Sequence, residues 1–107
     1  MLTRIVKMTF DKDKVDEFIE LMKHNSHRIR AVEGCLYLQI LQDQSSPNIF
    51  FTYSIWEGSF YLHQYRHSAL FKEVWNKAKE GFIDKPEAWS VDQIIEHKRD
   101  AVNESAE

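Results

Sequence analysis

Between Leu2 and Phe10 the chain alternates, with Arg4, Val6, Met8 and Phe10 on one side of an extended strand and Thr3, Ile5, Lys7 and Thr9 on the other. A period of two with one side clearly more apolar predicts a β-strand. "DKDK" then turns the chain, with Asp11 as a helix N-cap. From about Lys12 to Val32 the period changes: Val15, Phe18, Ile19, Met22 and Ile29 fall on the stripe of a core-facing helix. Gly34 ends that helix, and "CLYLQILQD" predicts a second strand. Pro47 keeps "QSSPN" out of any central strand. Residues 49–57, "IFFTYSIWE", are nearly continuous in β-branched and aromatic residues and predict a third strand covered on both faces.

Ser59 is placed to cap a short helix through Arg66, and Ser68 to cap a second in which Phe71, Val74, Trp75, Ala78 and Phe82 recur at helical spacing. Gly81 falls where a C-cap glycine is common. "EAWSVDQIIE" after Pro86 predicts a fourth strand. The reading is one domain over residues 1–96 and a polar tail over 97–107.

The element order β-α-β-β-α-β defines an α+β, ferredoxin-like fold with a four-stranded antiparallel sheet. Helices on one face of such a sheet leave the other bare. Here both faces are apolar: Ile5 stands beside Val6, Leu36 and Leu38 beside Tyr37 and Leu41, and Phe50 beside Phe51. A second copy packed sheet against sheet is the simplest cover, so a homodimer is expected.

Composition narrows the classes further. Fourteen aromatic residues (seven Phe, four Tyr, three Trp) exceed what the core of a 107-residue domain absorbs, so some should line a pocket or an interface. A net charge of −3 offers no basic footprint for nucleic acid. No apolar run approaches the ~20 residues of a membrane span, and the N-terminal residues lack the order of a signal peptide. A lone cysteine, Cys35, suits a reducing compartment, and a cytoplasmic protein is expected.

His63 and His67 are four apart on a predicted helix, a spacing that can share a metal, but no adjacent Glu and no third ligand accompany them. They read as surface residues, as do His24, His27 and Arg66, and no metal is expected. Tyr65 could donate its phenol to a substrate oxygen or send it to water. Phe71 and Trp75 share the stripe of the last helix, as core and as the wall of any pocket cut from that core. Asn25 stands about 280° round from Val15 at ~100° per residue, on the shoulder of the first helical stripe, where an amide can meet a pocket or solvent. Arg4, on the strand face of Val6 and Met8, could orient an anion or form an ion pair at the rim. Cys35 has no basic cluster beside it and reads as inert.

In order and spacing, "RIVKMTF" leading to "KVDEFIELM", then "EGCLYLQILQD", "FFTYSIWEG" and "YRHSALFKEVW", resemble the antibiotic biosynthesis monooxygenase family, a branch of the dimeric α+β barrel superfamily. The resemblance spans roughly residues 2–95. It implies a homodimer with a pocket between sheet and helices in each subunit, and puts Tyr65 at a pocket-facing position. Enzymes of this family include cofactor-independent monooxygenases of aromatic polyketides, haem-degrading enzymes and proteins that process small signalling molecules. Two departures matter. Many members have His where this chain has Tyr65. Haem-degrading members have Asn, Trp and His where this chain has Val6, Tyr65 and Trp75, so the iron-ligand imidazole is absent and that activity is not expected.

The expected function is cofactor-independent monooxygenation of a small aromatic or quinol-like molecule. Tyr65, Asn25 and Trp75 are the candidate catalytic residues, and Arg4, Val6, Met8 and Phe71 the candidate substrate-binding wall. The alternatives are a non-catalytic small-molecule binding module and an isomerase or signal-processing enzyme of the same fold.

Overall fold

The computed structural model describes residues 1–99. Strand β1 (Leu2–Thr9) leads through a 3₁₀ turn (Lys12–Lys14) into helix α1 (Val15–Arg30). Strands β2 (Cys35–Gln42) and β3 (Ile49–Trp56) follow, then helices α2 (Ser59–Arg66) and α3 (Ala69–Lys79), and strand β4 (Glu87–Val91). The sheet runs β2-β3-β1-β4 with every neighbour antiparallel. This is the α+β ferredoxin-like arrangement, with its second helical segment broken in two.

The alternation in β1 does what it predicts. Met8 and Phe10 are buried beneath the helices, and register places Met8 opposite Phe50, Val6 opposite Thr52 and Arg4 opposite Ser54 on β3. Phe18, Met22 and Ile29 of α1 close down on that face. Phe10, Phe18 and Phe50 pack with ring centroids 4.4–5.8 Å apart. Each buried ring of this kind contributes about 1.5–3 kcal/mol relative to exposure.

Several boundaries differ from the sequence reading. Asp11 caps the 3₁₀ turn, accepting from the Asp13 amide at 2.9 Å, and the α-helix starts only at Val15. Gly58, not Ser59, is the N-cap of α2 and has no side chain to accept from the first helical amides. Helix α3 ends on Glu80 in a right-handed conformation, and Gly81 serves instead as a close-approach point, since a Cβ there would lie 2.9 Å from Lys14 Cβ. Strand β4 stops at Val91 because its partner starts at Leu2: Thr3 pairs with Val91, and almost no strand remains beyond. Ile94 and Ile95, read as strand, stay exposed. Of the tail over 97–107, residues 100–107 lie outside the described residues.

Ser68 acts as its chemistry predicts, whereas α1 ends at Arg30 with Ala31 as its C-cap, and Gly34 shapes the turn that follows rather than the helix end. Ser68 caps α3, its Oγ accepting from the Phe71 amide at 3.1 Å. Gly34 closes the turn after α1 at φ +86°, where Cys35 N–H donates to Val32 O at 3.0 Å and the Tyr61 ring fills the space a Cβ would need.

On the sheet's outer face Tyr37, Leu41, Trp89 and Val91 are exposed, and Ile5, Phe51, Tyr53 and Ile55 are half-buried. No helix among the described residues is long and apolar enough to cross a membrane.

Candidate functional site

The strands and helices do not meet solidly. Between them lies a cavity of about 340 Å³. Its floor is the helix-facing side of the sheet: Arg4, Val6 and Met8 from β1, Thr52, Ser54 and Trp56 from β3, and Ala88 from β4. Its roof comes from Met22 and Ile29 of α1, Leu62, Tyr65 and Arg66 of α2, and Phe71, Val74 and Trp75 of α3. Several of these, including Met8, Met22 and Val74, also belong to the main hydrophobic core. The hollow is cut from the core rather than set beside it.

Tyr65 is one of the polar residues lining this space, with Arg4, Thr52, Ser54 and Arg66. Its ring stacks on Trp56 at 5.3 Å and meets Phe71 edge-on at 5.2 Å. Phe71 in turn stacks on Trp75 at 5.7 Å, so an aromatic wall runs from β3 across α2 and along α3. The Tyr65 hydroxyl makes no hydrogen bond to protein, and among the described residues no buried side-chain oxygen lacks a partner. The hydroxyl therefore opens onto accessible space. Burial, and secondarily a coulombic contribution from Cys35, pushes the Tyr65 pKa well above the ordinary tyrosine value. It stays a neutral phenol at physiological pH, a donor and not a base.

Arg4 sits at the rim, where its Nη1 donates to Ser90 Oγ at 3.0 Å. Burial first, and then the charge of Arg66, lowers its pKa. Neither guanidinium has a carboxylate partner; the ion pairs among the described residues are Lys14–Glu17, Lys23–Glu20 and Arg28–Glu73. No Asp, Glu or His lines the cavity.

The structure brings Tyr65, Trp75, Arg4, Val6, Met8 and Phe71 together around this one space, and leaves Asn25 out of it. Asn25 is buried on the opposite flank of α1, facing the groove between α1 and α3. Its amide donates to Leu21 O at 2.9 Å and its oxygen accepts from Arg28 at 2.8 Å, which itself bridges to Glu73 of α3. Those bonds tie one helix to the other, on a flank that does not line the cavity.

Of the cavity residues that the sequence reading did not single out, Trp56 and Arg66 bear most on its chemistry. Trp56 is 1% exposed and its indole N–H is fixed on Ser54 Oγ at 2.9 Å. Its place, two and four residues along the alternation from Ser54 and Thr52, was the available signal. Arg66, read as outward-facing, is exposed but borders the cavity one residue from Tyr65. His63 and His67 are exposed as expected, with ring centroids 4.3 Å apart, and the described residues hold no metal-binding cluster. Cys35 is buried, donates to Tyr37 O at 3.7 Å, and has its pKa raised chiefly by burial.

A ferredoxin-like α+β domain with an aromatic-walled hollow between sheet and helices is the class that fold and site define. Residues 1–77 match the antibiotic biosynthesis monooxygenase family, and the chain belongs to it. No curated protein matches the chain. Among solved structures, an antibiotic biosynthesis monooxygenase superposes with a TM-score of 0.84 at 17% identity, over 89% of this chain and 100% of that one. A conserved protein from Methanosarcina mazei Go1 aligns at 26% identity and TM-score 0.78, over 84% and 90% of the two chains. A protein from Mycobacterium tuberculosis shares 12% identity at TM-score 0.81, over 91% and 98%. At 17% and 12% identity the likeness is one of fold.

Proposed function

We propose that the protein is a cofactor-independent monooxygenase of a small aromatic, quinol- or anthrone-like molecule. The observation that carries the reading is the cavity itself: about 340 Å³, walled by Trp56, Phe71 and Trp75, with one unpartnered phenol, that of Tyr65. That volume suits a two- or three-ring aromatic lying against the wall. Family membership supports the reaction class.

The chemistry asked of the side chains is modest. A substrate methylene flanked by aromatic rings loses a proton to water at the cavity mouth, and its anion passes one electron to O₂. Recombination forms a C–O bond, and the resulting hydroperoxide loses water to leave a ketone. One O₂ and one CH₂ become one C=O and one H₂O. Tyr65 donates its O–H to the substrate oxyanion, which favours ionisation without a protein base and holds the anion in place. The apolar walls keep water from the radical pair. With no carboxylate or imidazole on the wall, a proton-shuttling isomerase has less support.

Oxygen uptake with a panel of anthrones and dihydroxynaphthalenes, without added metal or flavin, tests this. Uptake above the protein-free rate, one O₂ per molecule oxidised, is the expected outcome. Binding with no acceleration would replace the enzyme with a binding module. Solvent proton exchange without uptake would make it an isomerase.

The active unit we propose is a homodimer formed through the outer sheet face, which supplies Tyr37, Leu41, Trp89 and Val91 as exposed apolar surface. A cytoplasmic setting agrees with the single buried thiol.

A further inference from the structure

The rim of the cavity has an electrostatic character opposite to that of the chain. The protein carries a net charge of −3, yet Arg4 and Arg66 both border the cavity, close enough for the charge of one to act on the other, and neither has a carboxylate partner. Two like charges left side by side disfavour each other unless something negative joins them. A second, more open recess adjoins the cavity and shares Arg4, Leu62 and Arg66 with it. His63, Ser59 and Ser90 complete its polar lining, and no Asp or Glu lines either hollow. All the groups there can donate hydrogen bonds, and Arg4 is already held on Ser90 Oγ at 3.0 Å with other N–H groups free. An apolar cavity therefore opens directly into a cluster of donors and positive charge.

Building on the reading of the cavity as an aromatic-binding site, we infer that its ligand is an acid. The ligand class is a two- or three-ring aromatic carboxylate. Its rings lie in the hollow beside Phe71 and Trp75, and its carboxylate sits at the rim between the guanidinium groups of Arg4 and Arg66. The planar fork of an arginine matches the two oxygens of a carboxylate, and a pair of them at the mouth selects for the charged end while the walls select for the rings. Arg4 and Arg66 are specificity-determining residues in this account, and Tyr65, deeper in the cavity, meets the reacting part of the ring system.

The test compares 2-naphthoate with 2-naphthamide, which have the same rings and nearly the same shape but differ in charge, by titration calorimetry on the full chain. The wild type is expected to bind the acid at least about tenfold more tightly than the amide, the lower end of what one charge-assisted pair supplies. That ratio should fall toward one in Arg66→Gln and in Arg4→Gln, and should shrink in the wild type at high salt because the rim is open to water. Reading a ratio within each variant separates lost selectivity from lost folding, and Arg66, being exposed, is the substitution with least structural consequence. Equal binding of acid and amide by the wild type, or a preference that survives both glutamine variants, overturns the inference and leaves the cavity reading standing. If neither compound binds, the aromatic-site reading itself fails and the inference goes with it.

Discussion

Replacing Tyr65 with Phe separates what the hydroxyl does for folding from what it does for a ligand. The ring keeps its stack on Trp56 at 5.3 Å and its edge contact with Phe71 at 5.2 Å, so the packing is preserved. The lost oxygen has no protein partner, so no hydrogen bond breaks within the fold. Stability should therefore move by no more than about 0.5 kcal/mol. In the ligand complex the hydroxyl donates to a developing anion, an interaction of about 1.5–3 kcal/mol, which corresponds to a loss of roughly 10- to 150-fold. The assay pairs a urea melt with kcat/KM from oxygen uptake, or with Kd for an aromatic that binds without turnover. An unchanged kcat/KM or Kd would remove the phenol from the site. A clear drop in urea midpoint would show instead that it supports the fold.

Other outcomes follow from the same geometry. Gly34→Ala puts a Cβ against the Tyr61 ring at φ +86°, and strain plus overpacking should cost about 2–4 kcal/mol in a urea melt, with a loss below about 1 kcal/mol counting against that contact. Because burial raises the Tyr65 pKa, the neutral phenol stabilises the fold fully below the ordinary tyrosine value near ~10, and that contribution is lost as pH climbs through the higher folded-state value. Alkaline melts should thus show a smaller loss of stability in Tyr65→Phe than in the wild type, and identical profiles would refute the shift. Cys35, buried with its pKa raised, should react with a thiol reagent far more slowly in the native protein than in urea. If the outer sheet face forms the proposed dimer, the wild type should sediment as a dimer and Trp89→Glu as a monomer in sedimentation equilibrium; a dimer that tolerates the charge must use another surface.

The parts legible from sequence are those governed by a local period. Alternation in β1 placed Arg4, Val6 and Met8 on the helix-facing side, and the helical stripe of α3 placed Phe71 and Trp75 inward. Asn25 shows the limit of that logic. Its angle around α1 marks a shoulder of the apolar stripe, but which shoulder meets the cavity depends on how α3 crosses α1, and no local period carries that. Arg66 fails for a related reason: an exposed residue can still border a hollow when its helix forms the rim. The end of β4 was hidden because Ile94 and Ile95 have strand-like chemistry, whereas strand length is set by the partner available on β1.

Met8, Met22 and Val74 serve two masters, since they hold the fold together and also shape the space a guest occupies. A relative that adapts to a new guest by resizing one of them must tolerate the resulting defect in packing, so diversification on this scaffold should be limited by tolerance to destabilisation as much as by chemistry. A guest that fits acts as a missing side chain, and its arrival should raise the melting temperature even where no reaction follows.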